Sequence, residues 1–266
     1  MQSKILVVIQ ALTLALPVAC STGSRDQATG ASGSGGVAGM AAAPGDDLRF
    51  VPQGLPNTPR DGDVAGGLRL VAFSLVQGEA GPELYAAVKN DGPTPSCEAG
   101  MLTDFFDKSE QLVASAGSVL QTRQFYRTDS GTIIPCFDPG EIAMSVSTHL
   151  PENIVLAQLG ALKHAFPAFT VDGIVPVAGL SISDVQIVAA GAGSAYAGSL
   201  SNGFDVSVSA PQVTIFPLNR VGRPLGAATS SAATDLPPRS IWSFETSAVA
   251  VLGVDYAAYP AASISN

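Results

Sequence analysis

Leu84, Ala86 and Val88 alternate with Tyr85, Ala87 and Lys89, and this period of two predicts a strand with one buried face. Asn90-Asp91-Gly92-Pro93 ends the run. The first three residues tolerate the left-handed backbone of a turn, and Pro93 lacks the N–H that a continuing ladder needs. A second run, Ala99 to Phe106, sets Met101, Thr103 and Phe105 against Leu102, Asp104 and Phe106. The charged turn Asp107-Lys108-Ser109-Glu110 closes it, and Gln111 to Leu120 returns as a further strand. Only Pro151 to Ala165 has a spacing that allows a short helix, and its Ile154, Val155, Leu156, Leu159 and Leu162 equally suit a buried connector.

The same order of parts recurs about one domain later, and internal repeats decide an architecture before any motif does. Leu68 to Val76 and Leu180 to Val188 are matching opening strands, and Tyr196, Gly198, Leu200 and Asn202 take the parity of Leu84, Ala86, Val88 and Asn90. Gln212 to Pro217 follows as Leu102 to Asp107 does, with Ile215 near the place of Phe105. Pro139, Ile142, Met144 and Val146 are echoed by Pro237, Ser240, Trp242 and Phe244. The offset falls from 112 at the Asn pair to 98 at the Pro pair, so the first copy carries about a dozen extra residues between them.

The N-terminal pattern differs. Met1 to Ala19 has one charge, Lys4, then an apolar run from Ile5 to Leu16 that is shorter than the about 20 residues a membrane span needs. The layout is that of a cleaved export signal. Cys20 after Ala19 resembles the lipobox of bacterial lipoproteins, whose cysteine is acylated and becomes the new N-terminus. Pro17 stands where that motif prefers Leu, and an ordinary secretory signal with a chance cysteine at its cut is the alternative. Ser21 to about Arg60 is rich in Gly, Ser, Ala and Pro and has too few large apolar groups to offset its ordering entropy, so it reads as a flexible tether. Ser21 resembles the sorting context that permits outer-membrane delivery.

Composition favours β structure for the remainder: 28 Gly, 19 Pro and only 13% charged residues accompany short Val, Ile, Thr and Ser runs separated by turn signals. Each copy has about seven short strands, which predicts an all-β chain of two tandem immunoglobulin-like (fibronectin-type) β-sandwiches following a signal peptide and a disordered linker. The expected segments are a signal at 1–19, a tether at 20–60, a first sandwich with insertion at 61–178 and a second at 179–266. The chain resembles the FxLYD-type β-sandwich domains of exported prokaryotic proteins in three places: the Asn90-Asp91-Gly92 turn, Asp104-Phe105-Phe106-Asp107 with Leu112-Val113 beyond, and Asp138-Pro139-Gly140-Glu141. Phe106 stands where that family often has Tyr, and the second copy reads Ile215-Phe216-Pro217-Leu218-Asn219. The resemblance implies an interaction or structural role outside the cytoplasm and no catalytic residue set.

Export changes the reading of the cysteines. With Cys20 lipidated, Cys97 and Cys136 remain as a pair, and an oxidising compartment favours a disulfide that staples the insertion to the sandwich; two unpaired buried thiols are the alternative. Their spacing, without clustered histidines, gives little support for zinc. Loss of Lys4 with the signal leaves 12 basic against 22 acidic groups, a net charge of −10 that repels nucleic acid and anionic headgroups. Membrane contact is then expected from the lipid, at about 0.8 kcal/mol per buried CH₂.

Several fragments invite catalytic readings and fall short of them. Asp129-Ser130-Gly131-Thr132 matches a short aspartic-protease signature but has no second carboxylate copy to share a proton with, so a polar hairpin is expected. Gly191-Ala192-Gly193 lacks a third glycine and a following helix, which leaves a β-turn. His149 and His164 have no neighbouring nucleophile pattern, and satisfied structural roles are expected of both. Asp46-Asp47 and Asp61-Gly62-Asp63 lack the longer ligand pattern of a calcium loop. The expectation is therefore a non-enzymatic interaction or structural module of the cell envelope, without cofactor or metal, anchored by lipid and facing an unidentified protein partner. An alternative is a carbohydrate- or small-ligand-binding lipoprotein. Exposure of Phe125-Tyr126 or Tyr256-Tyr259 as an aromatic stripe would favour sugar, and burial of those rings would disfavour it.

Overall fold

A computed structural model describes residues 57–59, 67–78, 81–147, 150–151, 154–168, 171–191 and 193–264. Throughout these the chain is all-β, with one 3-10 turn at Leu156–Gln158. The first half supplies β1 (Asn57–Pro59), β2 (Leu68–Gly78), β3 (Gly81–Asn90), β4 (Ser96–Cys97), β5 (Gly100–Asp107), β6 (Leu112–Gln121), β7 (Gln124–Arg127), β8 (Ile133–Phe137), β9 (Ile142–Ser147) and β10 (Leu159–Ala165). The second supplies β11 (Val175–Val177), β12 (Leu180–Ala190), β13 (Gly193–Asn202), β14 (Val208–Leu218), β15 (Ala228–Ser231), β16 (Ile241–Glu245) and β17 (Asp255–Ile264).

One pairing scheme occurs twice. The order β2-β3-β9 is matched by β12-β13-β16, and β6-β5-β10 by β15-β14-β17. The opening hairpins have the same register, Leu68 opposite Asn90 and Leu180 opposite Asn202, and each carries an irregularity in its first strand. Both asparagines are buried and make corresponding bonds, with one more at Asn202. Asn90 Oδ1 accepts from Gly92 N–H, and its Nδ2 donates to the carbonyls of Thr94 and Phe137. Asn202 Oδ1 accepts from Phe204 N–H, and its Nδ2 donates to Val206, Leu236 and Pro237. Phe137 and Leu236 thus occupy equivalent places, and Lys89 opposite Ile142 matches Ser201 opposite Ile241. The offset beyond the insertion is therefore 99, one residue from the 98 that the Pro pair suggests; Ser145, not Val146, matches Phe244.

In the first half β6 also pairs with β9, so its strands outside the insertion form one seven-stranded sheet, whereas the second half has two three-stranded sheets; each half closes around its own core. Leu84, Ala86 and Val88 meet Met101, Phe105 and Leu162 in the first; Tyr196 and Leu200 meet Val208, Val213 and Ile215 in the second. A third cluster joins the halves: Val76, Tyr85, Ala87 and Met144, on the outer face of β2-β3-β9, pack against Phe216, Ala257 and Tyr259 of β14 and β17. This explains why β3 is buried on both faces from Leu84 to Val88 rather than on the one face its alternation predicts. Three polar links edge the same contact: Ser74 Oγ donates to Pro224 O at 2.6 Å, Tyr259 OH to Ile142 O at 2.7 Å and Arg123 Nε to Ala258 O at 3.0 Å.

The insertion forms its own sheet, β11-β7-β8-β4. Cys97 and Cys136 stand directly opposite each other in β4 and β8 and are disulfide-bonded, with S–S 2.07 Å. Phe125 of β7 leaves the first half altogether. Its ring lies in the second core, edge-on to Phe204 at 5.3 Å, and a Cβ on Gly179 would come within 2.3 Å of it.

Pro151 to Ala165 forms the 3-10 turn and then strand β10, so its helical spacing does not decide its structure. Pairing with β5 outweighs local propensity here. Gly160 permits the close approach: a Cβ there would sit 2.5 Å from Asp107 O.

Candidate functional site

An opening of about 810 Å³ lies along the open side of the second half, between the edge strands β12 and β17. Residues 177–185 run consecutively along one wall, and Tyr256, Ala258 and Pro260, alternate residues of β17, form the other. Arg123 and Gln124, from the β6–β7 junction, also line it. A second opening of about 370 Å³, lined by Glu141, Ile142, Met144, Leu218 and Gly222, shares Arg123 and Tyr256 with the first. Arg123 therefore stands between the two.

The fold fixes that arginine through its stem and leaves its head exposed. Its Nε–H is held by Ala258 O, and the guanidinium lies 4.7 Å from the centre of the Tyr259 ring, a cation–π contact. Among the described residues no carboxylate forms an ion pair with it. Burial pushes the Tyr259 hydroxyl up to about 12, with the Arg123 charge opposing that shift. On the facing wall, Asp184 has φ of 55° within the β12 irregularity between Ser183 and Gln186, and it accepts a hydrogen bond from Ser183 Oγ at 3.0 Å. Bulges of this kind re-aim side chains and interrupt edge pairing. The opening thus carries a cation from the β6–β7 junction and, along the β12 wall, a carboxylate and serine hydroxyls interspersed with the apolar residues Ile182 and Val185.

The residues singled out in the sequence are placed as follows. Cys20, Asp46-Asp47, Asp61-Gly62-Asp63 and His149 lie outside the described residues. Cys97–Cys136 is a bond within the insertion sheet, and neither cysteine lines either opening. Asp129 is exposed in the β7–β8 turn, where Gly131 N–H donates to Thr128 O and Thr128 N–H to Thr132 O, the polar hairpin expected of it. Gly191, with φ of 58°, lies in the tight turn between β12 and β13. His164 is buried in β10 beside Phe166, ring centres 5.1 Å apart, but its Nδ1 has no hydrogen-bond partner among the described residues, so the satisfied role expected of it is incomplete. Burial holds its pKa below the ordinary imidazole value.

The four rings that would form an aromatic stripe are mostly inside: Phe125, Tyr126 and Tyr259 are buried, and Tyr256 alone is exposed, at 40%. Tyr126 donates to Asp138, and burial, reinforced by that bond, raises its hydroxyl to about 12. No group of three or more His, Cys, Asp or Glu side chains comes together among the described residues. Arg123 was not singled out by the sequence, since a lone arginine between two strands carries no spacing signal.

No protein-family model matches the chain, and no curated protein is significantly similar to it.

Proposed function

We propose that the protein is an exported, non-enzymatic interaction module of the cell envelope, anchored in the outer membrane through an acylated Cys20, and built from two immunoglobulin-like repeats of the FxLYD type. The observation that carries the reading is the joining of the repeats through Phe216, Tyr259 and Phe125, which brings residues of both repeats together around the Arg123 opening. A prealigned surface loses little conformational freedom on binding, which favours recognition of a macromolecule. The net charge of −10 after loss of the signal argues against nucleic acid as that partner. A small-ligand reading draws support from the volume of the opening, which is within the range of ligand pockets. Burial of three of the four candidate rings weighs against a sugar platform.

The test is photo-cross-linking in native membranes, with the reactive residue at Ser183 in the opening or at Leu102 on the exposed outer face of β5. A discrete protein adduct from at least one position is expected. Adduct-free membranes at both positions would contradict an interaction role.

A further inference from the structure

We propose that the opening between β12 and β17 receives an extended peptide segment of the partner, with an acidic side chain of that segment meeting Arg123. This deepens the interaction reading and rests on it. The first repeat shows what such an edge holds. There the last strand, β10, is covered by β1, which runs parallel to it with Asn57 opposite Leu162, Thr58 opposite Lys163 and Pro59 opposite His164. Leu162 and His164 stand across from Phe105 and Thr103 of β5. Their counterparts in β17 are Ala258 and Pro260, which stand across from Ile215 and Val213 of β14.

Ala258 and Pro260 are the two residues of β17 that, with Tyr256, line the opening. Val175–Val177, which leads into β12, is paired with β7, and every described pairing of β17 is with β14. Among the described residues no strand is hydrogen-bonded to that edge of β17, which leaves a seat for an extended segment. Its shape agrees: residues 177–185 run along one wall, roughly 30 Å of extended chain.

The edge itself is guarded against indiscriminate pairing. The Ala258 carbonyl is taken by Arg123, Pro260 has no N–H to offer, and the β12 wall is interrupted at Asp184. Selectivity then falls to the guanidinium, whose Nε–H is committed to Ala258 while its terminal nitrogens are suited to a bidentate carboxylate.

A phage-displayed random decapeptide library selected on the mature full-length protein tests this. Enriched peptides are expected to share an acidic residue. They should bind at least tenfold more weakly to Arg123→Ala and to Ser183→Trp, which fills the opening from an exposed position, while both variants remain folded at the assay temperature. Failure of any peptide to enrich, or enriched peptides insensitive to Ser183→Trp, would overturn the site. Peptides sensitive to Ser183→Trp but indifferent to Arg123→Ala and to neutralising their acidic residue would overturn the carboxylate contact. If the library fails while Leu102 still yields an adduct in membranes, the peptide seat falls and the interaction role stands.

Discussion

His164 shows what one buried ring contributes. Its pKa lies below the 6.5 of a free imidazole because burial disfavours the charged form. The unfolded chain takes up its proton near pH 6.5, whereas the folded chain does so only at lower pH. The associated stability is therefore present above pH 6.5 and is lost as the pH falls below it. Replacing His164 with Leu should flatten the decline of melting temperature between pH 6.5 and 5; an unchanged slope would show that this ring does not titrate against folding. At the same scale, Asn90 and Asn202 were the most legible residues of the chain. An Asn that ends an alternating run and precedes a turn announces its role, although the sequence does not show that its side chain also ties down carbonyls more than thirty residues away, at Phe137 and Leu236. The 98 offset failed for a physical reason. Ala143, Met144 and Ser145 are all buried, since both faces of that sheet are covered, and the alternation that would fix parity is erased.

Among the elements, the insertion departs most from its sequence reading. The cysteines correctly tie β4 to β8, but the hairpin they tie serves the second half through Phe125. A loop closed over a separation of 39 residues contributes about 4 kcal/mol on chain entropy alone. Reduction should consequently lower the melting temperature and also raise amide exchange at Leu200 and Ile215, in the core that Phe125 enters. Phe125→Ala should destabilise by about 3 kcal/mol and loosen the same amides with the disulfide intact. Exchange changes confined to β4 and β8 would show that the hairpin does not support the second half. The strand β10 was hidden because LGALKHA satisfies helix and strand patterns alike, and only its partner β5 decides between them. Turns were easier: Asp129-Ser130-Gly131-Thr132 and the Gly191 turn are local chemistry, and local chemistry is what a sequence displays.

Over the whole molecule, the all-β class and the recurrence of four of the six repeated strands are readable, because short runs and turn signals repeat at similar spacing. The contact between the repeats leaves only a trace in the sequence: Leu84 to Val88 and Val213 to Pro217 are nearly continuous apolar runs, the mark of strands covered on both faces. That contact makes a thermodynamic prediction. Calorimetry of the oxidised protein should show one cooperative transition, and Phe216→Ala, which removes a fully buried ring from the junction, should lower it by about 3 kcal/mol or split it in two. Two independent transitions in the parent protein would mean that the repeats are not coupled.

The functional account depends most on export and anchoring, which the fold alone does not supply. The mass of the N-terminal peptide from protein isolated from native membranes tests it most directly. The account predicts a chain that begins at Cys20 and carries covalently bound acyl groups, and that moves to the soluble fraction in a Cys20→Ser variant. A soluble parent chain with an unmodified N-terminus at any other residue would contradict it.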